Sequence, residues 1–384
     1  MSDTAQNFTH PGLKSSGVSL AERYGLGLLD LDGVVYRGKN PVEHAAEGIM
    51  AAEKAGMFVS YTTNNAARYQ KTVAEQIESF GITVAPGQII TSAIVASRML
   101  AKHLPQGATV LVVGADHLRE EVKKTGLRVV ESAADNPDAV IQGWHAKISW
   151  EELAQAAYAV ERGAQFYVTN RDLTIPRELG IAPGNGAMVG AVVATTGVTP
   201  IASAGKPESA MYDEARAMNA DEGYDLVPTD RSLPVGDRLD TDIEAANRGG
   251  YDSLVVLTGV ADPQQLLVAE PIQRPTYISR DLRGLTEIHN APQRVGENRY
   301  RLGNMTAQYS NHVLAVASVD SEEWHDERNG VSVSTTATNA ALHSLDAVRA
   351  ACALAWNLAD RGVDMSAASL PQFDLSAASH SDGE

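Results

Sequence analysis

The sequence predicts an α/β protein. It has a parallel-sheet core, a second α/β unit inserted into that core, and a small α+β domain after it. Two observations carry the prediction. Short apolar runs of strand length alternate with amphipathic stretches of helix length as far as about residue 288, with short joints between them. That rhythm marks a parallel sheet covered by helices. At 384 residues, 44% of them apolar, the chain also exceeds one ordinary domain and can fill several cores.

Residues 1–20 are polar and lack the apolar centre of a signal peptide, so they are read as a mobile leader. Residues 26–31 form a short strand buried on both faces. Asn40 is placed to cap a helix with Pro41 at its first position, and Gly56 stops it. Residues 57–62 form the next strand, which runs into Thr63-Asn64-Asn65 and then a helix to about residue 80. In such sheets ligands bind at the carboxyl ends of strands. The rhythm restarts near residue 86, with helices over 90–104, 117–124, 150–162 and 188–195 and strands over 108–113, 139–143 and 165–169. The core resumes near residue 201 with a helix over 208–219, a strand over 233–235, a helix to 248 and a strand over 253–257.

Beyond residue 289 the character changes. Strands are expected over 300–302 and 312–319, and Ser344 caps a helix to residue 361. Leu345, Val348, Cys352, Ala355, Trp356 and Ala359 fall on one face of that helix, a packing stripe. The expected division is a leader over 1–20, a Rossmann-like core over 21–85 and 202–288, and an insert over 86–201. A C-terminal α+β domain over 289–362 and a disordered tail over 363–384 complete it.

Charge and cysteine content narrow the function. A net charge of −17 argues against nucleic acid or an anionic membrane as partner. One cysteine, Cys352, excludes an intramolecular disulfide and a cysteine metal cluster. No apolar run reaches membrane-spanning length. The expectation is a cytoplasmic protein.

Four stretches carry chemistry. Asp30-Leu31-Asp32-Gly33 ends the first strand in two carboxylates, a costly arrangement unless a cation or a reaction uses them. Thr63-Asn64-Asn65 follows the second strand, and an ordinary helix cap would explain it equally. Lys206-Pro207 and Gly236-Asp237-x-x-x-x-Asp242 follow in order. In content and order these stretches resemble the haloacid dehalogenase superfamily of phosphatases, and the insert resembles the cap of its class IIA members. The resemblance spans roughly residues 24–288.

The resemblance implies a task for each residue. Asp30 is the nucleophile that becomes an aspartyl phosphate. Asp32 protonates the leaving alkoxide and then deprotonates the attacking water. Gly33 permits the tight turn beside the phosphate. Thr63 and the backbone amides of Asn64 and Asn65 hold phosphate oxygens. Lys206 supplies a cation and orders the nucleophile. Asp237 joins Asp30 and the backbone carbonyl of Asp32 on Mg²⁺, and Asp242 orients that shell. Asp240 reads as an ordinary acid in a helix's first turn. In the cap, Asn170 and Asp172 are candidate substrate contacts, with residues 183–186 as a second loop. His145 stands where many members have an acid, and a solvated loop histidine is its plainer reading.

The C-terminal region resembles the small acetyltransferase-like tail of actinobacterial members, some of which are glycerol 3-phosphate phosphatases. The expected substrate is therefore a small phosphorylated metabolite, glycerol 3-phosphate first. Phosphoglycolate, pyridoxal phosphate, a nucleoside monophosphate and p-nitrophenyl phosphate are alternatives. Arg171 would serve the phosphoglycolate carboxylate, and stacking on Trp144, Trp150, Tyr158 or Tyr167 would favour a ring. A noncatalytic phosphate-binding protein is the alternative of another class, disfavoured because binding alone needs no Asp32. Class IIA caps also mediate dimers, so the resemblance allows a homodimer.

Overall fold

The computed structural model describes residues 12–177, 179–221, 225–319 and 339–375. The chain divides into two compact units. The first comprises Met1–Gly27, Gly33–Phe58 and Thr229–Glu384, and the second Leu28–Asp32 and Val59–Pro228.

In the first unit, strands Ser232–Gly236, Leu254–Val256 and Tyr277–Ser279 pair in parallel in that order. Every residue of all three is buried, the pattern of a sheet covered on both faces. The fold is α/β, as the alternating pattern predicts. Residues 12–20 are not a free leader. Ser19 closes a capping box on the helix Leu20–Arg23, Ser16 N–H donates to the His289 carbonyl at 2.9 Å, and Lys14 pairs with Asp252 at 2.6 Å. Residues 1–11 lie outside the described residues. The helix expected after Asn40 begins later, at Ala45. Asn40–Pro41 instead pairs antiparallel with Tyr36–Arg37 across Gly38, whose φ of 61° suits glycine.

The same unit holds a four-stranded antiparallel sheet of Gln293–Gly296, Arg299–Leu302, Met305–Ser310 and Val313–Ser318, in chain order. Ser344 caps the helix Leu345–Asp360 as expected. Its stripe meets both sheets. Val348, Cys352, Ala355 and Trp356 share one core with Ala307, Leu314 and Val316 and with Val255, Leu266 and Ile278. Burial pushes the Cys352 thiol up, which leaves it an inert packing group. The predicted disorder after residue 362 does not hold for 363–375. Leu370, Phe373 and Leu375 pack on this core, and Ser369 N–H donates to the His312 carbonyl at 2.8 Å. Apolar residues spaced through a polar stretch supply that anchor. Residues 376–384 lie outside the described residues.

In the second unit, Phe58–Thr63 pairs in parallel with Ile89–Thr91. A second parallel sheet runs in the order Ala202–Ser203, Gln165–Val168, Ala139–Gln142, Thr109–Val113, Arg128–Val130. Val113, Val140, Phe166 and Val168 pack on Val160 of the helix Trp150–Glu161 and on Val189 and Val192 of the helix Asn185–Thr196. The antiparallel pair Thr174–Arg177 and Gly180–Pro183 was not anticipated, because Pro176 and Pro183 disguise the strand pattern. Among the described residues no helix is long and apolar enough to cross a membrane.

Candidate active site

Asp30 ends a strand, Leu26–Asp30, in which every residue is buried. Within the second unit, the ammonium of Lys206 donates to Asp30 Oδ1. Lys206 is 2% exposed and Asp30 9%, so a charged pair is held almost out of solvent. A buried lysine needs such a partner, since an isolated buried cation is strongly disfavoured. Asp32, two residues beyond Asp30, is exposed.

Lys206 is held through its backbone. Its N–H donates to Asn64 Oδ1 at 2.9 Å, and its carbonyl accepts from Asn64 Nδ2 at 3.0 Å. The preceding residue must be glycine. A Cβ on Gly205 would stand 2.5 Å from Asn64 Oδ1, 2.8 Å from the Thr169 carbonyl and 2.9 Å from Asn170 Cβ. Asn64 Nδ2 also faces both oxygens of Asp172, at 3.1 and 3.2 Å. Thr63 is buried, and its hydroxyl accepts from the Asn65 amide at 3.1 Å. Thr63 does not open a helix, which corrects the sequence expectation. The helix is Gln70–Glu78, because Asn65 Oδ1 takes the Ala67 N–H at 2.9 Å and turns the chain first.

Asn170 is 4% exposed. Its Nδ2 donates to the Asn64 carbonyl at 2.8 Å, and its Oδ1 accepts from the Asp172 amide at 3.2 Å. Arg171 is exposed and donates to the Pro200 carbonyl. His145 is half-buried and bonded to Glu152 at 2.9 Å, rather than solvated. Burial pushes the Glu152 carboxyl up, but hydrogen bonds from Ser149 and His145 outweigh it and leave it lowered. Of the cap aromatics, Trp150 and Tyr158 are exposed. Tyr167 is buried with its hydroxyl on Gln165.

In the first unit, Asp237 and Asp242 follow the strand Ser232–Gly236 and are 2% and 1% exposed. Asp237 Oδ2 accepts from the Val260 amide at 2.8 Å, and its carbonyl from the Ala261 amide at 2.7 Å. A Cβ on Gly33 or on Gly259 would overlap the Asp237 carboxylate. Gly33 follows Asp32 directly in the chain, has φ of 87°, and its carbonyl accepts from Thr258 Oγ1 at 2.6 Å. Asp242 Oδ2 accepts from the Arg238 amide at 3.2 Å, and a Cβ on Gly236 would overlap Asp242. Asp240 is exposed and paired with Arg238.

In the first unit Asp237 is a buried carboxylate packed against glycines, and in the second unit Asp30 is a buried carboxylate; each is the kind of oxygen donor that suits a hard divalent cation. Sequence reading missed Thr258, whose hydroxyl holds the Gly33 carbonyl. Nothing in the sequence pointed to Thr258.

Residues 27–128 match the haloacid dehalogenase-like hydrolase family, and residues 203–285 match the related HAD-hydrolase-like family. The D-glycerol 3-phosphate phosphatase of Mycobacterium tuberculosis is 43% identical over 267 residues, 70% of this chain and 72% of that protein. The 5'-nucleotidase YutF of Bacillus subtilis is 33% identical over 250 residues, 65% of this chain and 93% of that protein. A crystal structure of glycerol phosphate phosphatase from M. tuberculosis in complex with magnesium superposes with a TM-score of 0.73. It is 36% identical and covers 88% of this chain and 92% of that one. With its acidic strand end, buried lysine and glycine-cradled aspartates matched by relatives of this similarity, the chain belongs to the haloacid dehalogenase-like hydrolases.

Proposed function

We propose that the protein is a Mg²⁺-dependent phosphatase that hydrolyses glycerol 3-phosphate to glycerol and phosphate through an aspartyl phosphate on Asp30. The observation that carries the reading is the buried ammonium of Lys206 on the Asp30 carboxylate. Such a cation orients a carboxylate nucleophile and offsets its repulsion from a phosphate dianion. The relative named D-glycerol 3-phosphate phosphatase supports the choice of substrate.

In this proposal Asp30 and Asp237, with the backbone carbonyl of Asp32, would hold Mg²⁺, which when bound would supply charge neutralisation between carboxylate and phosphate. Asp30 attacks phosphorus while the P–O bond to the alcohol breaks, and protonated Asp32 gives its proton to the leaving alkoxide. Asp32, now a carboxylate, takes a proton from water as that water attacks phosphorus. The bond from phosphorus to Asp30 breaks and inorganic phosphate leaves. Thr63 and the Asn64 and Asn65 amides hold the phosphoryl oxygens, and Asp242 keeps the loop around Asp237 in place. Gly33 lets the backbone approach, and Asp172 is the cap group offered to substrate hydroxyls. The sheet over residues 293–318 and the helix over 345–360 serve in this proposal as a packing unit, the region whose sequence resembles an acetyltransferase-like tail, without transferase activity.

Phosphate release across a panel of esters tests the reading. Both glycerol 3-phosphate enantiomers should rank highest in kcat/KM, above phosphoglycolate, pyridoxal phosphate, nucleoside monophosphates, sugar phosphates and p-nitrophenyl phosphate. A low rank for both enantiomers overturns the substrate. EDTA should stop turnover and Mg²⁺ restore it; full activity in chelator overturns the metal.

A further inference from the structure

We propose that Asn185 and Asn170 are positioning residues for Lys206, the far links of a run of three asparagine amides that braces the lysine against Asp30. This rests on the reading of Lys206 and Asp30 as catalytic.

Asn185 is 1% exposed and begins the helix Asn185–Thr196. Its Nδ2 donates to the Asn170 carbonyl at 2.8 Å and to the Gln142 carbonyl at 3.3 Å. Asn170 Nδ2 in turn donates to the Asn64 carbonyl at 2.8 Å. Ser92 Oγ donates to that same carbonyl at 2.6 Å. Asn64 then closes both of its polar ends on the backbone of Lys206. Each link joins the amide of one segment to the carbonyl of the next, and those carbonyls lie at or beyond the carboxyl ends of strands. The Asn64 and Asn170 carbonyls lie past the ladder, where an unpaired buried carbonyl is costly, while the Gln142 carbonyl also accepts from the Thr169 amide at 2.9 Å.

The run also leaves no slack. A Cβ on Gly186 would overlap the Arg171 carbonyl, and one on Gly184 the Asp172 carbonyl, so the loop over 170–174 is pressed onto the start of the helix. Gly205 is seated between Asn64, Thr169 and Asn170 in the same way. Loss of an outer link therefore frees Asn64 to move, and with it the backbone from which the Lys206 ammonium reaches Asp30. The amides of Asn64 and Asn170 are already engaged on protein groups, which assigns these two side chains to bracing rather than to substrate contact.

Two variants test this. Asn185→Asp keeps shape and Oδ1 but removes both donated hydrogens, and Asn170→Ser shortens the second link. Turnover is measured with the ester that the wild-type protein cleaves fastest, on the fraction shown folded by circular dichroism. The expected result is a kcat lower by about ten- to a hundredfold, with KM within about threefold. A second readout needs no turnover: acetylation of lysines by acetic anhydride, followed by mass spectrometry. Wild-type Lys206 should label at least about tenfold more slowly than exposed Lys102, and that gap should narrow in both variants.

Unchanged kcat and unchanged Lys206 protection in folded variants would overturn the proposal. So would a rise in KM alone. If one variant does not fold, the other decides. A wild-type protein that cleaves no ester defeats the phosphatase reading, whereas the labelling experiment still decides the bracing.

Discussion

Asp30 and Lys206 lie 176 residues apart in the chain, yet they form a pair with little access to water. Asp30 is the proposed nucleophile, and a nucleophile is one part of a cooperating set whose loss removes most of the rate. Asp30→Asn should lower phosphate release by at least about a thousandfold. Release near the wild-type rate, with deamidation excluded by mass spectrometry, would defeat the assignment. Gly205→Ala tests the seat of the lysine rather than its charge. The added methyl meets Asn64, a carbonyl and Asn170 at less than 3.0 Å, so the segment must shift. About a hundredfold loss in kcat/KM is expected, with Tm lowered by only a few degrees. A fully active variant would show that the backbone at Lys206 tolerates displacement. At this scale the sequence was legible where chemistry concentrates. Asp30-x-Asp32-Gly33 announces itself by ending an apolar run in acid. The bracing part of Asn185 does not, since asparagine after glycine in a turn is ordinary.

At the scale of elements, the alternation of apolar runs revealed strands and helices because each buried face repeats locally. What stayed hidden depended on partners distant in sequence. Tyr36–Arg37 and Asn40–Pro41 form a hairpin where a capped helix was expected, and the 363–375 segment is held in part by His312 and Leu314, distant in sequence. His289 is a further case, a histidine within a polar stretch that is 2% exposed. Its Nε2 donates to the Gly284 carbonyl at 2.9 Å, and its Nδ1 faces Arg349 Nη2 at 3.4 Å. Protonation would set a second N–H against a guanidinium. Burial, with help from Arg349, pushes the imidazole down to about 4. The unfolded chain therefore binds this proton first. The stabilisation is complete above the ordinary value of 6.5 and is lost as pH falls from there toward 4. It amounts to at most about 3 kcal/mol. Chemical denaturation between pH 7 and 4 should show His289→Gln with a shallower fall in stability than wild type. Equal slopes would remove His289 as the cause.

For the molecule as a whole, the C-terminal sheet and helix are less separate than their composition suggested. The change of character after residue 289 marks a new topology, but Trp356 of the late helix lies in one core with Ala261 and Leu266. Its indole N–H donates to the Leu266 carbonyl at 2.7 Å. In the chain Leu266 follows closely on Ala261, whose amide holds the Asp237 carbonyl, and the neighbouring Val260 amide holds the Asp237 carboxylate. Packing at the end of the chain thereby reaches the segment next to the loop that holds Asp237. This was not legible from the chain alone, because periodicity shows which face of a helix is apolar but not what lies against it. Trp356→Phe removes the indole donor and keeps most of the bulk. It should cost about 1–2 kcal/mol, since the Leu266 carbonyl keeps only backbone donors, with Tm lower by a few degrees. If the loop is steadied from this side, the Mg²⁺ concentration for half-maximal activity should rise. Mg²⁺ binding measured by calorimetry without substrate should weaken in parallel. A lower Tm with unchanged Mg²⁺ affinity would confine the C-terminal helix to holding the fold, with no hand in how Asp237 is presented.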